Sequence, residues 1–432
     1  MRHKKQIKTG GGYDSDMTIE SPTERITLRD LGIPPRDESV ARNITFVVTN
    51  KTTNPTSVKY NYVKYVGQGT YGVVYLVNGQ SESDGQQKQF VIKIQGRYQS
   101  IREEALKMDT IMLGINPECA YVAVSQGMTD NIEHAVFPYV GSKNLLEYVQ
   151  DLEDAPIIAL FPKIIADVIE CLTAINLKGF SHLDLKLENV VINEFGKSTI
   201  IDYGLAVLHT SITRETIGNT SVVNAGNPQL SVEMLLGRIR QKDDNFDKGD
   251  KLITKIKQTI DNFGLFWLIL DILTLDGSYN GVFIYFTTPN DLNGKGLTVR
   301  ILMNFYNMLT TSVEFQETVI AKVKTLIITE NFNIWFGVGI GAESEEEETR
   351  NLRFNEFMKR VFLLVHYNPE LRIYAKDLLS DPFFSGGLSG RVGVGGGGGY
   401  SYKRPPRKRT RRSRLGRGRG RWRRRTVSGL KK

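Results

Sequence analysis

The stretch His182-Leu-Asp184-Leu-Lys186-Leu-Glu188-Asn189, followed by Ile200-Ile-Asp202-Tyr-Gly204, decides how this chain is read. Asp184 and Asn189 stand five residues apart, and Asn189 and Asp202 thirteen. Between them, Val190 to Ile192 and Thr199 to Ile201 have the β-branched, apolar character of two short strands. A hairpin there brings Asn189 and Asp202 to the same end, where both oxygens can ligate a hard cation such as magnesium. One Asp or Asn in a turn is ordinarily only a cap. An acidic base at Asp184, a nearby cation at Lys186 and a metal pair, in this order, suit transfer of a phosphoryl group to a hydroxyl.

Upstream, Gly67-Gln68-Gly69-Thr70-Tyr71-Gly72-Val-Val74 lies between two expected strands, Tyr62 to Val66 and Val73 to Val77. Glycines let the backbone approach phosphate oxygens closely enough for its N–H groups to bind them. Alone the pattern is weak, since any Gly-rich hairpin matches it. No helix opens at Gly72, which disfavours a dinucleotide site. A third strand, Phe90 to Ile94, carries Lys93 between apolar neighbours. Such a lysine usually snorkels to the surface; following a Gly-rich hairpin, it points instead to a phosphate contact. It then needs a carboxylate. The helix expected over Ser100 to Leu113 offers Glu103 and Glu104, and Glu104 is favoured because Ala105, Met108 and Ile111 follow it with the spacing of a packed face.

Taken together, these motifs resemble the signature set of the eukaryotic-type protein kinases, serine/threonine-like and divergent, over about residues 60 to 385. The resemblance implies an α+β bilobal fold: a small antiparallel-sheet lobe with one helix, then a larger helical lobe. It implies ATP and Mg²⁺ as cofactors and a protein substrate. Catalysis would rest on Asp184, Lys186, Lys93 and Glu104. ATP would lie on Gly67, Gln68, Gly69, Thr70, Tyr71, Gly72, Val74, Val91 and Lys93, and the metal on Asn189 and Asp202. Phe137-Pro-Tyr-Val140 falls where the interlobe hinge should be, with the Pro138 carbonyl and the Val140 N–H facing adenine. Glu233 and Arg372 match a buried ion pair that fixes the substrate loop, and Asp261 matches the aspartate that anchors the catalytic loop from below.

Three departures stand out. Leu183 replaces the arginine that commonly reads activation-loop phosphate, Tyr203 replaces a phenylalanine, and Asn227 stands where many serine/threonine kinases place a threonine. Lys186 after Asp184 keeps the serine/threonine pattern. The stretches 237–259 and 277–329 fit the family poorly.

The other expected elements are strands at Val122 to Val124 and Ala135 to Phe137, and helices at Leu145 to Leu152, Leu160 to Leu177, Ile260 to Leu273, Phe354 to Val365 and Ala375 to Leu379. Glu343 to Glu348 reads as a solvated acidic loop. The division expected is an extension over 1–59 with a strand-like stretch at Ile44 to Val48, lobes over 60–140 and 141–385, a Gly-rich linker over 386–400 and an Arg-rich tail over 401–432.

Charge separates the tail from the rest. The chain's 432 residues carry a net +9, but residues 401–432 hold 16 Lys plus Arg and no acid, leaving 40 basic against 47 acidic residues elsewhere. A body of −7 with an intensely basic tail suggests a polyanionic partner for the tail. Its arginines suit phosphates, and Trp422 could stack on a base. Nuclear import is an equal reading. The tail's composition resembles that of kinases carried by large DNA viruses. The basic start and the short apolar run Phe263 to Leu275 point away from a secretion signal and a membrane span, hence to an intracellular protein, in a nucleus or a virion. Two cysteines supply no disulfide framework, so a reducing compartment is expected. Two rival classes stay open. A pseudokinase scaffold would fail a phosphoryl-transfer assay; a nucleic-acid-condensing structural protein would lose condensation, but not transfer, on tail deletion.

Overall fold

The computed structural model describes residues 18–20, 25–27, 45–49, 57–68, 72–80, 85–95, 101–112, 125–129, 132–150, 160–212, 231–233, 250–274, 295–336 and 347–386. The first part is one antiparallel sheet and a helix. Its strands are β1 (Thr18–Glu20), β2 (Arg25–Thr27), β3 (Thr45–Thr49), β4 (Ser57–Gln68), β5 (Gly72–Gln80) and β6 (Gln87–Gln95). Helix α1 (Ile101–Met112) follows, then β7 (Ser125–Thr129) and β8 (Ile132–Pro138). The spatial order is β2-β1-β3-β4-β5-β6-β8-β7, and the sheet curls until β3 approaches β7.

The pleat sorts this sheet into two faces. Val74, Lys93 and Ala135 lie opposite one another on one face, with Leu76, Val91 and Phe137 one step along. Tyr75, Ile92 and Val136 lie on the other. Helix α1 buries Ile101, Glu104, Ala105, Met108 and Ile111, so its packed face is the one its spacing suggests.

The second part is helical with short strand pairs. After β9 (Lys143–Asn144) come α2 (Leu145–Gln150) and α3 (Phe161–Leu177). Then come β10 (Phe180–Ser181), β11 (Val190–Ile192), β12 (Ser198–Ile200) and β13 (Val207–Leu208). The helices α4 (Asp250–Thr259), α5 (Asn262–Thr274), α6 (Lys295–Thr311), α7 (Val313–Leu326), α8 (Thr329–Phe336), α9 (Glu347–Leu363) and α10 (Pro382–Gly386) follow. Helix α5 is central: every residue from Asn262 to Leu273 is buried. Full burial of each large apolar side chain there contributes roughly 1.5–3 kcal/mol. No described helix is long and apolar enough to cross a membrane.

The α+β two-part architecture is the expected one, with several local differences. β3 falls on the strand-like stretch expected at Ile44 to Val48, and β1 and β2, which were not expected, extend the sheet further into the segment read as an extension. Residues 250–259 of the stretch read as a polar insert form α4, whose Leu252 and Ile256 are buried. Helices α6 and α7 occupy much of 277–329 and supply Leu302, Phe305, Tyr306, Leu309, Val319 and Val323 to the core. Glu347 and Glu348 are not loop but the first turn of α9, where carboxylates oppose the helix dipole favourably; 343–346 lie outside the described residues. Val122 to Val124 also lies outside them, and the strand there is β7. Cys171 on α3 is buried and disulfide-bonded, against the expectation from cysteine count; Cys119 lies outside the described residues. So do the linker and tail from residue 387 onward.

Candidate active site

Lys93 sits where three elements meet. Strand β6 turns it onto the face shared with Val74, α1 supplies Glu104, and the segment after β12 supplies Asp202. Its Nζ donates to Glu104 Oε2 at 2.7 Å and to Asp202 Oδ1 at 2.8 Å. Glu103, the other candidate partner, is exposed. Burial alone would depress the Lys93 ammonium, but the Asp202 and Glu104 carboxylates outweigh it and hold its pKa above the ordinary lysine range. Burial pulls Glu104 upward against Lys93, whereas at Asp202 the attraction of Lys93 exceeds the burial penalty and holds the carboxyl low. These directions pull apart across one cluster. The contacts at 2.7 and 2.8 Å decide for the charged form of all three groups.

A second group surrounds Asp184. Lys186 Nζ donates to Asp184 Oδ2 at 2.9 Å. Asn189 Nδ2 donates to the Asp184 carbonyl at 2.8 Å and to its Oδ2 at 2.9 Å. That turns the amide nitrogen of Asn189 inward and leaves its Oδ1 as the acceptor for another ligand. The hairpin β11–β12 pairs Val190 with Ile200, and Ile201 N–H closes onto Asn189 O at 2.9 Å, so Asn189 and Asp202 emerge at one end.

The loop carrying Asp184 rests on α5. Asp261 accepts His182 N–H on Oδ2 and Leu183 N–H on Oδ1, each at 2.8 Å. Burial pushes the Asp261 carboxyl up, while His182 and the two N–H groups favour the carboxylate, the form that leaves both oxygens free to accept. His182, buried and quoted in the motif without a role, acts as a bridge. Its Nδ1 accepts Asp184 N–H at 3.2 Å, which leaves Nε2 to donate to the Ile201 carbonyl at 3.1 Å. The only sequence signal for it was its place two residues before Asp184. Leu183 and Asp202 both take φ of +63°, left-handed values that ordinary side chains rarely adopt.

The remaining candidates divide. Val74, Val91 and Lys93 share one sheet face. Gly67 pairs with Val74 through an irregular stretch of β4. Gln68 ends β4 and Gly72 opens β5, while Gly69, Thr70 and Tyr71 between them lie outside the described residues, as does Asn227. Pro138 ends β8 opposite Phe90, and Tyr139 N–H holds the Gln89 carbonyl at 3.3 Å, which carries the chain past β6 to Val140. Glu233 and Arg372 form a bidentate pair at 2.6 and 3.1 Å, both side chains 0% exposed. The Arg372 guanidinium lies 4.9 Å from the Phe263 ring centre.

The family model of the protein kinase domain matches residues 60–225, which span most of β4, all of β5 to β8 and both carboxylate clusters. A probable serine/threonine-protein kinase of Dictyostelium discoideum is 24% identical over 197 residues, 45% of this chain and 41% of that one. The serine/threonine-protein kinase PknD of Chlamydia trachomatis is 28% identical over 168 residues, 34% of this chain and 17% of that one. PknD of Chlamydia muridarum is 27% identical over 167 residues. The chain thus spans less than half the length of these relatives. Residues 60–225 thus match the protein kinase domain, and the sheet, the helical part and the paired clusters are arranged as in a divergent eukaryotic-type protein kinase.

Proposed function

We propose that this chain transfers the γ-phosphoryl group of ATP to serine or threonine hydroxyls of proteins. The observation that carries the reading is the placement of Lys93 between Glu104 and Asp202, beside a second cluster in which Lys186 and Asn189 hold Asp184. Lys93, buried and charged, is placed to bind phosphate oxygens. Asp184 has one oxygen engaged by Lys186 and Asn189, which orients the carboxylate to accept the proton of an attacking hydroxyl. Lys186 beside it offsets negative charge as that hydroxyl attacks. Pro138 has no N–H to give, and adenine would ask only for its carbonyl, with Val140 as the donor.

Asn189 Oδ1 and the Asp202 carboxylate are hard oxygen donors at one end of a hairpin, a set that fits Mg²⁺. When bound, the metal would neutralise phosphate charge. The rest falls to side chains: Lys93 binds, Asp184 takes the proton, and Asp261 with His182 keeps the loop in register.

For the tail we infer nucleic-acid binding, with nuclear import as a further use. Support comes from 16 cations without an acid over residues 401–432, and from Trp422 among them. Contacts to phosphates carry no sequence information, so binding would be nonspecific in base sequence.

The test is transfer of radiolabel from ATP to a generic protein substrate by the full chain, with Asp184→Asn and Lys93→Met alongside. Each variant should lose at least about 100-fold in rate while keeping its circular dichroism spectrum. Near wild-type turnover by either folded variant would overturn the assignment.

A further inference from the structure

Two glycines lie against backbone that the site cannot move. Gly141 follows the hinge residue Val140 and leads into β9, whose Lys143 and Asn144 pair with Ile192 and Val191 of β11. A methyl group at Gly141 would run into the Ile192 carbonyl oxygen and come within 2.9 Å of Val191 Cγ1. Strand β11 cannot give way easily, because β9 and β12 flank it and Asn189 immediately precedes it. Tyr139 is also tied to Gln89 on β6. Any displacement therefore falls on Val140.

Gly264 stands in the first turn of α5. A methyl group there would lie 2.8 Å from the Leu185 carbonyl oxygen and 3.0 Å from Leu185 Cβ. Helix α5 is buried on all sides, and its neighbours Asp261, Asn262 and Phe263 are each engaged. Asp261 holds the loop N–H groups, Asn262 donates to the Leu364 and Ile373 carbonyls at 3.2 and 2.9 Å, and Phe263 lies under Arg372. The helix is the fixed partner, so the loop next to Asp184 must move.

We propose that Gly141 and Gly264 are positioning residues with separate tasks: Gly141 sets the seat of the nucleotide base at Val140, and Gly264 sets the depth of Asp184 in the catalytic loop. The inference rests on the phosphoryl-transfer reading. It goes beyond that reading by assigning nucleotide affinity and turnover to two different close approaches. At neither position is a special backbone angle the reason for glycine; the requirement is space.

The experiment compares the full chain with Gly141→Ala, Gly264→Ala and Gly79→Ala. The last adds a methyl group against the Tyr60 and Phe90 rings, on the sheet face opposite Lys93, and controls for overpacking in general. KM for ATP, kcat and the Kd of a fluorescent ATP analogue are measured for each. Gly141→Ala should raise KM and Kd about 10-fold, the loss of about one hydrogen bond, with kcat at saturation within about twofold. Gly264→Ala should leave Kd within about twofold and lower kcat about 100-fold, as a small misplacement of a reacting group does. Gly79→Ala should lower only the melting temperature. If Gly264→Ala does not fold, Asp261→Asn weakens the same seat without added bulk and must also lower kcat while sparing Kd. Proportional losses in both parameters, or the two patterns exchanged, would overturn the proposal. A wild-type chain that binds the analogue yet transfers no phosphate would sink the kinase reading instead. In that case Kd would still decide the claim for Gly141, and loop hydrogen exchange around Leu185 that stayed unchanged in Gly264→Ala would overturn the claim for Gly264.

Discussion

Two buried tyrosines should respond in opposite directions to the loss of one oxygen. Tyr203 and Tyr306 are both 0% exposed. The Tyr203 hydroxyl has no hydrogen-bond partner among the described residues, and its ring packs edge-on against His182 at 4.9 Å. The Tyr306 hydroxyl accepts from Trp267 Nε1 at 2.8 Å, across the α5–α6 contact. An unsatisfied buried polar group costs about 1–3 kcal/mol, and removing it recovers part of that cost. Tyr203→Phe leaves the ring in place, so the expected gain is roughly 1 kcal/mol, or about 1–2 °C in Tm for a chain of this size. Tyr306→Phe strands a buried indole N–H and should cost about 1–3 kcal/mol. Urea denaturation of the nucleotide-free chain, with slopes compared to confirm the same transition, reads both changes. A loss of stability above about 0.5 kcal/mol in Tyr203→Phe would mean that the hydroxyl has a partner, and the reasoning would fail.

Other outcomes follow from the same geometry. Glu233→Ala strands a guanidinium that is 0% exposed and should cost about 3–5 kcal/mol, whereas Glu233→Met with Arg372→Met should cost much less than the sum of the single changes; additivity in that cycle would refute a coupled pair. His209 Nε2 lies 3.1 Å from Ser181 Oγ, and burial and Lys257 hold its pKa below the usual histidine value. A depressed folded pKa means that the unfolded chain takes up the proton first, so stability should be full above about pH 6.5 and fall as pH drops below it; an unchanged slope in His209→Gln would rule that group out. Phosphatase treatment should leave the rate within about twofold, since Leu183 offers no cation to a phosphate, and a collapse in rate would contradict this. Deleting 401–432 should abolish DNA binding at low salt, and if about 10 cations contact duplex phosphates the log–log salt slope should be near roughly −9; a flat salt response would exclude phosphate contacts.

The parts legible in the sequence were those whose chemistry is close together along the chain. The spacing from Asp184 to Asn189 to Asp202 implied a hairpin, and β11 and β12 form it within a residue of the expected bounds. The helical spacing of Ala105, Met108 and Ile111 selected Glu104 over Glu103 because a buried face is a local property. Non-local structure was harder to see. β1 and β2 have three residues each, too few for any alternation to show. Strand β7, Ser-Gln-Gly-Met-Thr, is the sheet's edge next to β8 and lacks the apolar pattern of a central strand. Helices α6 and α7 make sense only against α5, where Trp267 meets Tyr306, and no window of sequence contains both. The Gly264 contact was equally invisible, since its partner Leu185 lies 79 residues earlier.

The two left-handed residues, Leu183 and Asp202, explain why the site needs so many fixed partners. Each strained φ costs of order 1–3 kcal/mol, so the pair could remove a large part of a marginal stability. Each is offset where it occurs. Leu183 N–H and the preceding His182 N–H go to one buried carboxylate, Asp261, just before α5, and hydrogen bonds to a charged group contribute about 1.5–3 kcal/mol each. Asp202 is held by Lys93 from the sheet. His182 joins the two strained points, taking the N–H of Asp184 on one nitrogen and holding the carbonyl of Ile201, next to Asp202, with the other. A single imidazole therefore fixes the spacing between the loop that bears Asp184 and the segment that bears Asp202. Neither Asp261, Lys93 nor His182 belongs to the segment between Asp202 and Glu233, and none needs a phosphate to be in place. A site held from α5 below and from the sheet above has its geometry before any modification of that segment, which is the physical ground for expecting activity that survives a phosphatase.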